Sequence, residues 1–203
     1  MADQRRTQSE RRAATTARLI EGAIGAVVDL GYARTTAKEI CARAGVSQGA
    51  LFGRFATLVD LVLAAAREVA RRQIENFARR FARLSDTDDV PTVLSLVREG
   101  ARDPINAVWI ELLVAARTDA DLRARFEPIV SEYVAAMFVN AERVPAVRRL
   151  PQEARAAALM TTLHFFDGEA LGAALYPDPE LDAQRLAVIG VMTESYLKEQ
   201  GAR

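Results

Sequence analysis

Between Thr35 and Phe55 the chain reads TTAKEICARAGVSQGALFGRF, with two helix starts and one helix stop in a single short stretch. Thr36 stands where a cap belongs, and Glu39, three residues on, has the spacing of a capping box. Ile40, Cys41 and Ala44 then fall on one side of a short helix that Gly45 ends. Ser47 opens a second short helix, with Leu51 and Phe55 four apart on its inner side. Small residues at Cys41 and Ala44 let the two helices cross closely, and Gly45 supplies the positive φ of the turn. Helices this short do not stand alone in water. Gly49 and Gly53 weaken the second one further, each by about 1 kcal/mol against alanine in a helix interior. A segment so weak as a helix is there for what it touches, and with the neighbouring helix its spacing is that of a helix-turn-helix.

The neighbour precedes it. Over 9–30, Ile20, Ala23, Ile24, Val27 and Val28 form one apolar stripe, and Gly31 suits a left-handed stop. Beyond residue 56 the 3.6-residue period continues in long segments. These run over 58–84, ending at the acidic run SDTDD, then 90–102 and 104–117. A segment from Asp119 either breaks at Pro128 or runs on past it, and two alanine- and leucine-rich helices over 152–175 and 180–199 close the chain. No long stretch alternates apolar with polar residues. The fold class is therefore all-α, with about nine helices. Residues 1–56 form a three-helix head, with a basic arm over about 1–12, and 57–203 a larger helical domain.

Composition narrows the function. Half of the residues are apolar, enough for a sizeable core, yet no apolar run approaches the ~18 residues of a membrane span. The opening MADQRRTQSERR lacks the apolar stretch of a secretory signal. Cys41 is the single cysteine and His164 the single histidine, so no intrachain disulfide forms and neither a transition metal nor another cofactor is expected. A reducing, cytoplasmic setting suits that usage. The net charge of zero hides an asymmetry: residues 1–60 carry +3 and the remainder −3. A basic front end points to a polyanion partner.

The run GYARTTAKEICARAGVSQGALFGRF, placed after an amphipathic helix, resembles the DNA-binding domain of the TetR family of transcriptional regulators. Gly31-Tyr32, the Thr35-Thr36 cap, Ile40, Ala44 to Ser47, Leu51-Phe52 and Phe55 carry the likeness. WIELLVAARTDADLRARF and LHFFDGEALGAALYPDPELD are similar, more loosely, to segments of that family's regulatory domains. The resemblance implies a DNA-binding head on a helical body that dimerises and binds a small effector. It places Gln48, Gly49, Ala50, Phe52 and Arg54 in the major groove, with Thr36 and Lys38 beside the phosphates. Gln48 suits an adenine edge, Ala50 a thymine methyl, and Arg54 guanine or a phosphate. Arg5, Arg6, Arg11 and Arg12 either follow the DNA backbone or are simply solvated. Three positions depart from the family pattern: Phe52 stands for tyrosine, Arg54 for histidine and Leu58 for lysine. They motivate an alternative, a helical small-molecule-binding or protein-interaction module whose head has lost specific readout.

In the body, the resemblance makes Phe77, Trp109, Leu113, Met137, Phe138, Met160 and His164 candidates for an effector pocket, against the ordinary reading of such residues as core. His164 either bonds an effector, pairs with Asp167 three residues on, or is structural. No nucleophile neighbours it, and no enzyme activity is expected. The last two helices resemble the family's dimerisation pair, with Leu159, Leu163, Phe166, Ala170, Leu186, Ile189, Thr193 and Leu197 as the expected contact stripe. The resulting expectation is a repressor, held as a homodimer on a palindromic operator and released by a small apolar effector.

Overall fold

The computed structural model describes residues 7–84 and 89–201. Among them are ten α-helices, one 3-10 turn and no strand, so the chain is all-α. Arg5 and Arg6 of the arm, and residues 85–88 of the acidic run, lie outside the described residues. The order is α1 (Gln8–Leu30), a 3-10 turn (Tyr32–Arg34), α2 (Ala37–Ala44), α3 (Gln48–Phe52), α4 (Leu58–Phe81) and α5 (Val90–Ala101). α6 (Asn106–Ala116), α7 (Ala120–Ala141), α8 (Pro145–Arg148), α9 (Gln152–Ala173) and α10 (Pro179–Gly201) follow.

One element has no signal in the sequence, and another resolves an open alternative. α8, a single turn opened by Pro145, has no apolar period to announce it. α7 runs through Pro128 without a break, although a proline cannot donate to the carbonyl four residues back. Its continuity follows from a buried stripe on both sides of the proline: Leu122, Phe126 and Ile129, then Tyr133 and Met137. Burying those side chains, at roughly 1.5–3 kcal/mol each, outweighs a penalty of about 3 kcal/mol.

Packing divides the chain into two compact units. The first combines the chain up to Arg71 with Pro104–Val130, and the second combines Arg72–Asp103 with the chain from Ser131 onward.

In the first unit α1 is opened by a capping box. The Glu10 amide donates to the Thr7 hydroxyl at 3.2 Å and the Thr7 amide to the Glu10 carboxylate at 2.7 Å. α1 then crosses α2 at Gly22. A Cβ there would lie 2.9 Å from the carbonyl oxygen of Ile40 and 3.3 Å from the Ala44 methyl. Leu19, Ala23, Ile24, Ala26 and Val27 are buried at this crossing face, whereas Ile20 and Val28 of the expected stripe are only half-buried. Glu39 does not complete the expected box at Thr36. Its carboxylate accepts from Arg43 at 2.8 Å, and Arg43 also reaches Asp29 on α1 at 2.5 Å.

α6 and the first half of α7 belong to the same unit. Glu111 accepts from the backbone amide of Tyr32 at 2.8 Å, across 79 positions of sequence. Gly31 makes room for that carboxylate: a Cβ there would lie 3.1 Å from it. Its φ of +79° is positive as expected, but its ψ of 161° makes it extended rather than left-handed helical. Burial pushes the Tyr32 phenol above its usual range, the charge of Asp119 adds to this, and Arg125 opposes it. Arg125 also pairs with Asp60 near the start of α4, and Trp109 packs edge-on against Phe126 with ring centroids 5.1 Å apart.

In the second unit α5 packs on α9 and α10 around a buried ionic cluster. The Glu169 side chain is 3% exposed and accepts from Arg98 at 2.5 and 2.9 Å and from Arg102 at 2.8 Å. Arg102 reaches Asp182 on α10 at 2.6 Å. A carboxylate this deep is tolerated because several donors replace the water it lost.

Two outcomes follow. Gly22→Ala forces α1 and α2 apart and lowers unfolding stability by about 1–3 kcal/mol, read from a denaturant midpoint. The second concerns pH. The hydrogen bond from Arg102, with the neighbouring arginine charges, holds Asp182 below the ordinary carboxylate range. Its stabilising contribution is complete above the unfolded value, about 3.9, and is lost as pH falls through the lower folded value. Thermal scans below about pH 4 therefore show a steeper loss of stability for the parent chain than for Asp182→Asn.

Candidate nucleic-acid interface and ligand cavity

The helix-turn-helix is built by its caps. The Thr36 hydroxyl accepts from the Glu39 amide at 3.2 Å, and the Ser47 hydroxyl from the Ala50 amide at 3.1 Å. Between them Gly45 is left-handed, at φ 63° and ψ 41°, and the Val46 amide closes the turn on the Cys41 carbonyl at 3.1 Å. Ile40, Cys41, Ala44 and Leu51 turn inward, Leu51 with no exposed surface. Burial raises the Cys41 thiol above its ordinary value, so it is a core residue rather than a reactive one.

The opposite side of the pair is open. Thr36, Lys38, Gln48, Gly49 and Phe52 are exposed together on α2 and α3, and Ala50 is half-buried. Phe52 is 50% exposed. Arg54 is placed differently from an outward-reaching ligand. Its guanidinium donates to the Ala50 carbonyl at 3.0 Å, with a longer contact of 3.5 Å to the Arg12 carbonyl on α1. It thereby satisfies a carbonyl at the end of α3, which has too few turns to do so itself. Arg11 and Arg12 are exposed within the first turns of α1. Leu58, where the resemblance led to lysine, is half-buried at the start of α4. That helix is capped instead by Thr57 and Asp60, each accepting from the other's amide at 3.1 and 2.8 Å. The T-x-x-D spacing is a signal that reading for glutamate or glutamine alone passes over.

The second unit holds a partly open apolar cavity of about 80 Å³, with Phe81, Val97, Met137, Val144, Leu159 and Leu163 among its walls. Thr162 and Thr193 are its polar side chains, and the Thr162 hydroxyl already donates to the Ala158 carbonyl at 2.8 Å. The seven pocket candidates, of which only a subset is expected to line a cavity, lie in different places. Met137 lines this cavity. Phe77 rests in a small cleft by Gly100, Arg80 and Asn76. Trp109 and Leu113 belong to the first unit, Leu113 being 41% exposed. Phe138 and Met160 are half-buried, and His164 is exposed. Asp167 acts instead on buried Tyr133, adding to the rise that burial imposes on the phenol.

The residues expected as a dimer stripe lie mostly on the inner sides of α9 and α10. Leu159, Leu163, Thr193 and Leu197 face the cavity, Phe166 and Ile189 are buried within the unit, and Ala170 and Leu186 are half-buried. The open stripe is the other one: Leu171, Leu175, Tyr176, Val188, Val191 and Met192 are all more than half exposed. Both helices are apolar on two sides, so the period alone does not say which side turns inward.

Among the described residues no helix is long and apolar enough to cross a membrane, and no group of three or more His, Cys, Asp or Glu is placed to hold a metal ion.

Residues 19–65 match the family model for bacterial regulatory proteins of the tetR family. An uncharacterized HTH-type transcriptional regulator of Mycobacterium tuberculosis is 38% identical over 185 residues, covering 91% of this chain and 95% of its own. Among solved structures, a putative TetR-family regulator from Mesorhizobium loti aligns with a TM-score of 0.69 at 17% identity, over 93% of this chain and 97% of its own. The transcriptional regulator FadR of Bacillus subtilis, solved in complex with stearoyl-CoA, aligns with a TM-score of 0.58 at 16% identity, over 89% and 96%. At those identities the two structures speak for the fold.

The geometry of Arg54 gives a measurable outcome. Arg54→Lys keeps the charge but loses the bond to Ala50, and it lowers unfolding stability by about 1 kcal/mol in the absence of DNA. An unchanged unfolding midpoint would contradict the bracing role.

Proposed function

Because this chain belongs to the TetR family and is a DNA-binding transcriptional regulator, we propose that it is a homodimeric repressor, released from a palindromic operator by a small apolar effector. Each protomer contributes one head over residues 1–56, and α3 enters the major groove. The observation that carries this reading is the two-sidedness of the helix pair. Leu51 is fully buried while Gln48, Gly49 and Phe52, on the same five-residue helix, are exposed. Thr36 and Lys38 at the start of α2 then flank the groove at the phosphates.

Dimerisation uses the exposed stripe of α9 and α10. Val188, Val191 and Met192 stand three and four residues apart on α10, each more than half exposed, and such a run of apolar side chains suits an interface. A two-fold axis through this stripe lets one patch cover its own copy, and two α3 helices reading successive major grooves of one palindrome lie about 34–36 Å apart, or a multiple of that.

The cavity of the second unit takes the effector. Its walls offer no charged side chain, which favours an apolar ligand or the apolar part of a larger one. The acyl chain of stearoyl-CoA, seen with the fold neighbour FadR, is a group of that kind. A cavity of about 80 Å³ is smaller than the ~150 Å³ that holds benzene, so entry spreads the helices around it. α4 supplies residues to both units, and a shift of its later turns is carried along one helix to the capped start at Thr57. Effector and operator then oppose each other reciprocally, as linkage requires. The role is one of binding throughout, with no covalent step.

The test couples assembly to DNA. Sedimentation of the parent chain shows a dimer, and Val191→Glu converts it to a monomer. Duplexes selected from genomic fragments are palindromic, bind the parent chain more tightly than scrambled duplex, and lose affinity with rising salt. Val191→Glu loses most of that affinity. A monomeric parent chain, or equal affinity for scrambled duplex, would overturn the reading.

A further inference from the structure

α3 reads QGALF and carries no charged side chain, and the arginine that follows it is folded back onto Ala50 and Arg12. What remains for base edges is one amide, one bare stretch of backbone and one aromatic ring. Gln48 and Phe52 are four residues apart, so they share a side of the helix, and both are exposed. Gly49 lies between them. A Cβ there would meet nothing closer than the Ser47 hydroxyl at 3.8 Å, and its φ is not positive, so alanine would fit the fold. The missing side chain therefore serves nothing inside the chain, and it lets the backbone between Gln48 and Phe52 approach a partner closely.

We propose that Phe52 reads the 5-methyl group of a thymine in each operator half-site, next to an adenine read by Gln48. The inference rests on α3 being docked in the major groove. A benzyl group has no donor or acceptor, so it bonds neither a phosphate nor the hydrogen-bonding edge of any base. The thymine methyl is the apolar feature of the major groove, and an aromatic ring is among the groups that contact it. Ala50, the residue expected to meet a thymine methyl, is the more covered of the two, whereas Phe52 is 50% exposed and lies one turn from the amide that suits adenine. Specificity here is thus one of shape and methyl burial at an A·T-containing half-site, with little contribution from bidentate arginine.

The experiment uses the full chain and a duplex selected by it from random sequence. Each thymine is replaced in turn by uracil, which keeps every hydrogen-bonding group and removes only the methyl. Uracil at one symmetric pair of positions weakens parent binding about fourfold or more. Phe52→Ala, which alters an exposed side chain and leaves the core intact, binds the thymine and uracil duplexes equally, so the two changes are coupled. Specific binding that is indifferent to uracil at every position overturns the methyl contact and leaves groove docking standing. The same uracil penalty in Phe52→Ala also overturns it. Failure to select any preferred duplex overturns both.

Discussion

The contact on which the head depends is the close crossing of α1 and α2 at Gly22. α2 has only two turns and α3 little more than one, so neither holds its shape through its own hydrogen bonds. Both are held because α1 comes within van der Waals reach of the Ile40 carbonyl, and because Leu51 has nowhere else to go. Arg43, bridging Asp29 and Glu39, adds little energy at the surface but fixes the angle of the crossing. Once α2 and Leu51 are pinned from one side, Gln48, Gly49 and Phe52 are left on the other. The open side of α3 is thus a product of core packing.

Each unit adds a polar tie to its apolar core, part-buried in the first and deep in the second. In the first, Glu111 takes an amide that no helix satisfies, since Tyr32 opens the turn between α1 and α2. In the second, Glu169 gathers Arg98 and Arg102 and through Arg102 joins Asp182. These ties give direction where apolar contact alone gives only proximity. Removing the Glu169 carboxylate would strand the largely buried Arg98 guanidinium, an effect larger than the net value of the bonds.

The head was legible because its signals are local. Thr36, Gly45 and Ser47 announce caps and a turn by residue type and spacing, and the structure places a cap or turn at each. Glu39 misled only in part: the spacing of a box was present, but Arg43 competed for its carboxylate. The body was legible as helices and not as faces. α9 and α10 carry apolar residues on two sides, and period alone does not separate them: Phe166 and Ile189 of the expected contact stripe are covered within the chain, while Val188 and Val191 stand open. Large side chains read as pocket candidates scattered because an aromatic residue serves a core as readily as a cavity; Trp109 and Phe126 simply pack together. Glu111 gave no sign at all. Its partner lies 79 positions away, and a single glutamate on a helix predicts no partner.

That distant glutamate bears on how such regulators are recombined. The helix-turn-helix looks like a cassette in sequence, ending soon after Phe55, yet its packing unit also takes in Pro104–Val130. A fragment cut after α3 would leave the Tyr32 amide without Glu111 and would strip away α6, which packs on α1 and the 3-10 turn. Chimeras that graft this reading head onto a foreign sensor should therefore transplant two separate stretches of chain, or else redesign the recipient's sixth helix to receive it.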